Sequence, residues 1–176
     1  MSSLQSTGRS LEIAIEVAAA DWTGALPDAE KTADIALTAT FGRSAPAGPP
    51  AEVSLVLADD AMVADLNRDY RDKEGPTNVL SFPMSDPMSS GGIAPADGAD
   101  RPEMLGDIVI AYGVTASEAE AQGIPLAHHL SHLCVHGMLH LLGYDHESDD
   151  EAEAMERLEA DILGDLGVPD PYGKER

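Results

Sequence analysis

Residues 128–146 read HHLSHLCVHGMLHLLGYDH and hold all six histidines of the chain. This stretch constrains the fold more than any other. His136 and His140 are four positions apart, so on a helix they share one face, one turn from each other. Two imidazoles so placed can grip one metal ion, as in the H-x-x-x-H half of zinc hydrolases. Gly143 tolerates the left-handed backbone with which helices stop, so the helix is expected to end there. The chain can then reverse and bring His146 back as a third ligand. Three protein ligands on Zn²⁺ leave the fourth position open, which marks a catalytic rather than a structural site. The expectation is one zinc per chain, on a helix and the turn after it, held by His136, His140 and His146.

The neighbouring residues are weighed against the same helix. His132 and His140 are separated by roughly 12 Å of helix rise, too far to bind one metal, so His132 is left out of the ligand set. His128, His129 and His132 read as supporting, substrate-facing or surface groups. Cys134 lies about 200° around the helix from His136 and reads as a small buried hydrophobe. Leu130, Leu133, Cys134, Met138 and Leu141 form the expected core face, which leaves the metal at the surface of a packed helix.

A chain of 176 residues is long enough for one domain with its own core. The single cysteine excludes an internal disulfide framework and fits a reducing compartment. MSSLQSTGRS has no apolar run behind its arginine, so it does not read as a signal peptide. No stretch approaches the ~20 apolar residues of a membrane span, and the expected location is the cytoplasm. Thirty-two acidic against ten basic residues give a net charge of −22, which repels nucleic acid as a whole. The local exception is the group Arg68, Arg71 and Lys73.

In order, 1–10 reads as a flexible tail. Residues 11–18 alternate apolar with polar or small residues, as a half-buried strand does. Asp21 can cap a short turn, and 29–41 carries apolar residues at helical spacing. Pro and Gly exclude a regular element from 42–50. A second strand follows at 51–58. Asp59 and Asp60 open a helix that runs to Arg71, with Met62, Leu66 and Tyr70 on one face. Residues 73–76 form a turn, and 79–84 a third strand. Residues 84–103 read as a mobile acidic loop. A fourth strand at 105–112 leads to helices at 114–122 and 126–142. Ser148 and Glu151 form a capping box for a last helix over 148–163, with Met155, Leu158, Ile162 and Leu163 buried. Residues 166–176 are a tail. The fold class expected is α/β in the α+β sense: one domain over 11–165, a roughly four-stranded mixed sheet and about five helices.

HGMLHLLGYDH resembles the YbeY family of bacterial endoribonucleases, which mature ribosomal RNA. LNRDYRDKEGPTNVLSFP at 66–83 is similar to a second signature of that family, and LGDIVI at 105–110 and the DEAEAM stretch at 150–155 agree with it. The resemblance implies zinc on His136, His140 and His146, and a functional arginine at Arg71. It further implies single-strand-specific cleavage of RNA in maturation of the small-subunit rRNA 3′ end and in ribosome quality control. The implied partners are single-stranded rRNA in the small ribosomal subunit, its proteins and an Era-type GTPase. The acidic insert at 84–103 and the net charge depart from the family pattern.

The residues themselves suit phosphoryl chemistry. Arg71 is always charged and can fork onto a phosphate. Arg68, Lys73, His132 and Asp145 are weaker candidates for contact with substrate or for support of the ligands. Asp145 reads first as a turn residue orienting a ligand histidine. The general base stays open between zinc hydroxide, Asp145 and a neighbouring histidine. Zincin proteases place a glutamate directly after the first histidine, and here Gly137 stands there, which argues against peptide hydrolysis. Two other readings are kept: a metal-dependent hydrolase of another bond, and a non-catalytic ribosome assembly factor with a structural metal. An acidic surface of this kind favours contact with basic ribosomal proteins.

Overall fold

The computed structural model describes residues 9–84, 102–145 and 147–172. The expected acidic loop falls largely on 85–101, outside the described residues, as do the first eight residues and His146. In order, the elements are β1 (Leu11–Val17), α1 (Asp21–Ala25), α2 (Ala29–Ser44), β2 (Ala51–Ala58) and α3 (Asp60–Arg71). They continue with β3 (Val79–Pro83), β4 (Glu103–Ala111), α4 (Tyr112–Gln122), α5 (Leu126–Leu141) and α6 (Asp149–Asp165). The four strands form one sheet in the order β1-β2-β4-β3. The β1, β2 and β4 strands run parallel, while β3 pairs antiparallel with β4 as an edge strand. The sheet is therefore mixed and the class α+β, as expected. No helix among the described residues is long and apolar enough to cross a membrane.

Alternation along β4 divides the core between the two faces of the sheet. Ile108 and Ile110 point into the main core, with Leu37 of α2, Leu130 and Met138 of α5, and Ile162 of α6. Val109 and Ala111 point the other way, into a smaller cluster with Val63 of α3 and Leu80 and Phe82 of β3. The histidine helix α5 thus lies on one face of the sheet and α3 on the other. Both pack against β3, and the candidate site forms beside that edge strand.

Several boundaries differ from the expected ones. The α2 helix runs on to Ser44, three residues into the 42–50 stretch read as a loop, because the prolines that stop it begin only at Pro46. In three other places tertiary contacts set the difference. The short α1 is a sixth helix. Its N-cap position is Ala20 with no side-chain cap, so Asp21 is the first helical residue rather than the cap. It is anchored instead by Trp22, fully buried, whose indole N–H donates to Ala58 O at 3.0 Å. The fourth strand begins at Glu103, two residues early, because β2 supplies a parallel partner: Ala51 pairs with Glu103, and Glu103 N–H reaches Pro50 O at 2.8 Å. The next helix begins at Tyr112 rather than at 114, where Asp60 of α3 accepts the Val114 N–H at 3.0 Å. The local caps of α3 and α6 stand as read. Asp59 accepts from Met62 N at 2.9 Å, and the Ser148–Glu151 capping box closes in both directions.

Candidate metal centre and cleft

The site is built from the C-terminal half of α5. His136 and His140 lie one turn apart, and their Nε2 atoms approach to 3.1 Å with the rings nearly perpendicular. The helix stops after Leu141, and Gly143 takes φ +103°. Tyr144 N–H returns to Leu139 O at 3.0 Å, so the chain does reverse where the glycine predicts. His146, the expected third ligand, lies outside the described residues. Among the described residues no third His, Cys, Asp or Glu joins the pair into a ligand set of three.

A buried carboxylate stands behind the pair. Glu159 of α6 is 1% exposed, and its Oε2 lies 2.6 Å from His136 Nδ1. Its Oε1 receives the Tyr172 hydroxyl at 2.6 Å and faces His132 Nε2 at 3.0 Å. Burial alone would raise its pKa. The hydrogen bonds from His132 and His136, the charge of His136 and the bond from Tyr172 outweigh it and hold the carboxyl down at about 2. An ionised carboxylate only accepts, so His136 Nδ1 carries a proton toward Glu159 and Nε2 is the ring nitrogen that faces His140. Burial and the neighbouring Glu159 push the Tyr172 hydroxyl up, so it remains a donor.

This geometry meets the requirements of a zinc ligand pair. Two nitrogens on one tetrahedral zinc, each about 2.0–2.1 Å from it, are about 3.3 Å apart. The observed Nε2 separation is close to that, and the second ring nitrogen of His136 has the carboxylate partner that fixes the tautomer of metal-bound histidines.

The pair opens onto a cleft of about 640 Å³. Arg71 and Lys73 line it from the end of α3, Ser81 and Pro83 from β3, and Tyr144 and Asp145 from the turn after α5. Arg71 is held in place twice. It donates to Ser81 O at 2.6 Å, and its guanidinium carbon sits 5.1 Å from the centre of the Phe82 ring. Since β3 is an edge strand, the outward Ser81 carbonyl lacks a strand partner and can take the guanidinium. Asn67 is also in the cleft wall and donates to Gly75 O at 2.9 Å, tying α3 to the turn that carries Lys73. Arg68 lies apart from this group. It is exposed and paired with Asp65 at 3.3 Å and Asp69 at 3.2 Å.

The remaining residues of the histidine run sort by depth. His132 turns from the pair toward Glu159 and Tyr172. His129 is buried, not outward-facing, with Nε2 2.8 Å from Glu118 Oε1. Asn78 donates to that same oxygen at 3.0 Å. Cys134 is fully buried and its thiol is pushed up by burial, which makes it inert. Glu159 was not among the expected site residues. Its position, four after Met155 and three before Ile162, places a carboxylate in the buried stripe of α6, which is the one sequence signal that singles it out.

The sequence profile described as Endoribonuclease YbeY matches residues 18–167. The chain belongs to the YbeY family. The Endoribonuclease YbeY of Paramagnetospirillum magneticum is 48% identical over 166 residues, covering 94% of this chain and 98% of that protein. That of Parvibaculum lavamentivorans is 45% identical over 98% of this chain and 90% of its own length. That of Rhodopseudomonas palustris strain BisB18 is 58% identical over 125 residues, 71% of each protein. The matched YbeY span contains the histidine helix, Arg71, Lys73 and Glu159. It begins just after β1 and ends before Tyr172.

Proposed function

We propose that this chain is a zinc-dependent, single-strand-specific endoribonuclease that acts on the small-subunit rRNA 3′ end and in ribosome quality control. The observation that supports this reading is the convergence of the His136 and His140 Nε2 atoms, backed by Glu159, on a cleft that Arg71 lines. His136 and His140, with His146, would hold the zinc. When bound, zinc supplies Lewis-acid polarisation of a phosphate and activation of water near neutral pH.

The chain's own residues do the rest. Glu159 keeps the proton on His136 Nδ1, so that Nε2 faces the site. Arg71, braced by Ser81 O and the Phe82 face, presents the rest of its planar fork to a phosphodiester and offsets the charge that develops on it. Lys73 adds a second cation for a neighbouring phosphate. Position 137 argues against the peptidase alternative, because a Cβ there would already press on Ile108 at 3.1 Å and on the Ser81 hydroxyl at 3.2 Å, which leaves little room for a glutamate. The proposed partners are single-stranded rRNA in the small subunit, its basic proteins and an Era-type GTPase, in the cytoplasm.

The test pairs elemental analysis of protein purified without chelators with cleavage of a single-stranded rRNA 3′-end substrate by wild type and His140→Ala. The expected result is about one zinc per chain and loss of cutting in the variant. Equal cutting by both proteins would overturn the catalytic reading and leave the assembly-factor alternative.

A further inference from the structure

The chain continues past α6 and returns to the site. Gly167 takes φ +81°, and Val168 N–H bonds Leu163 O at 2.9 Å as its side chain packs against the main core. Asp170 then accepts the Tyr172 N–H at 2.8 Å, which shapes the last described turn. This places the Tyr172 ring edge-on to His132, with centroids 5.5 Å apart, and puts its hydroxyl 2.6 Å from Glu159 Oε1. Tyr172 lies beyond the span that the family profile matches.

We propose that Tyr172 is a positioning residue for the histidine pair: its hydroxyl pins one oxygen of Glu159, so that the other stays on His136 Nδ1. The inference rests on the metal reading of the site given above. A carboxylate held through one oxygen alone can swing about its terminal bond. Here Oε1 is fixed by two groups, the Tyr172 hydroxyl and His132 Nε2 at 3.0 Å, and Oε2 is then directed at His136 at 2.6 Å. A carboxylate only 1% exposed also needs these partners, because water cannot replace them. His132 Nε2 carries one proton, shared between Glu159 Oε1 at 3.0 Å and the Tyr172 hydroxyl at 3.1 Å, while that hydroxyl donates to Glu159, so the three groups form one closed network. The C-terminal segment thereby completes a support that α5 and α6 leave short of one donor.

The experiment uses Tyr172→Phe, which keeps the ring and removes only the hydroxyl. Histidine-ring ¹⁵N spectra of the zinc-free full chain report the tautomer of His136, with Glu159→Gln as the reference for a lost carboxylate. Wild type should show the Nδ1–H form, and Tyr172→Phe a mixture of the two. Competition with a chromogenic chelator should show zinc affinity reduced roughly tenfold, the low end of the about 10- to 100-fold that losing an outer partner costs. An unchanged His136 spectrum in Tyr172→Phe overturns the inference, even if melting temperature falls, because that pattern is packing alone. If wild type binds no zinc, the metal reading fails, while the ring spectra still decide the role of Tyr172.

Discussion

Position 137 shows how much a single absent side chain decides. A Cβ at Gly137 would lie 3.1 Å from a methyl of Ile108 and 3.2 Å from the Ser81 hydroxyl, because α5 rests directly on β3 and β4 there. The glycine is a packing requirement as well as the missing protease glutamate. Gly137→Glu should therefore not create a peptidase. It would force a carboxylate into the helix–sheet contact, at a cost of about 3 kcal/mol or more from overpacking and burial of charge. In a domain of this size that corresponds to a melting temperature lower by about 6–12 °C, which calorimetry would read. A variant that melted like wild type would mean that α5 can lift from the sheet. At this scale the sequence was legible where a residue acts locally, as Gly143 does at the helix end. It was not legible where the role depends on a partner from another element. Glu159 looks like one acid among many in α6, and His129 like one histidine among six, until packing supplies His136 to the first and Glu118 to the second.

The same division holds for whole elements. Helices with their own start signal were readable to within a residue or two: α3 from Asp59, and α6 from its capping box. Elements whose ends are set by neighbours were not. The five residues of α1 are too few to show a period, and its anchor is a tryptophan bonded to a distant carbonyl. The early start of β4 follows from pairing with β2, which no local pattern encodes. The α3 helix matters to the site because its last turn carries Arg71, and its first turn is stabilised by the Asp59 cap. Asp59→Ala removes the acceptor for Met62 N–H and should destabilise the fold by about 1 kcal/mol. Denaturant unfolding would show this as a lower midpoint with an unchanged slope. A shift much larger than that would mean that Asp59 supports more than its own helix.

At the scale of the molecule, charge is the feature that a nuclease reading has to accommodate. The chain carries −22, yet Arg71 and Lys73 both line the cleft beside the histidine pair. Grouping Arg68, Arg71 and Lys73 by sequence overstated the patch, because Arg68 is engaged by Asp65 and Asp69 on the exposed side of α3. Two cleft cations neutralising two phosphates of a single strand give a slope of log affinity against log salt of about −1.4. Added salt also screens the repulsion between RNA and the acidic surface, which is felt over a Debye length of about 10 Å at 0.1 M and makes the slope shallower. The expected value for a short single-stranded RNA is therefore about −1, well below what an extended basic surface would produce. Lys73→Ala should weaken binding and move the slope toward zero by about 0.7, the contribution of one phosphate contact. Binding titrations at several salt concentrations, on wild type and this variant, test the assignment directly. A flat slope for wild type, or a Lys73→Ala slope equal to it, would place the RNA elsewhere than in this cleft. A slope steeper than about −3 would require more cations than the cleft's Arg71 and Lys73 provide.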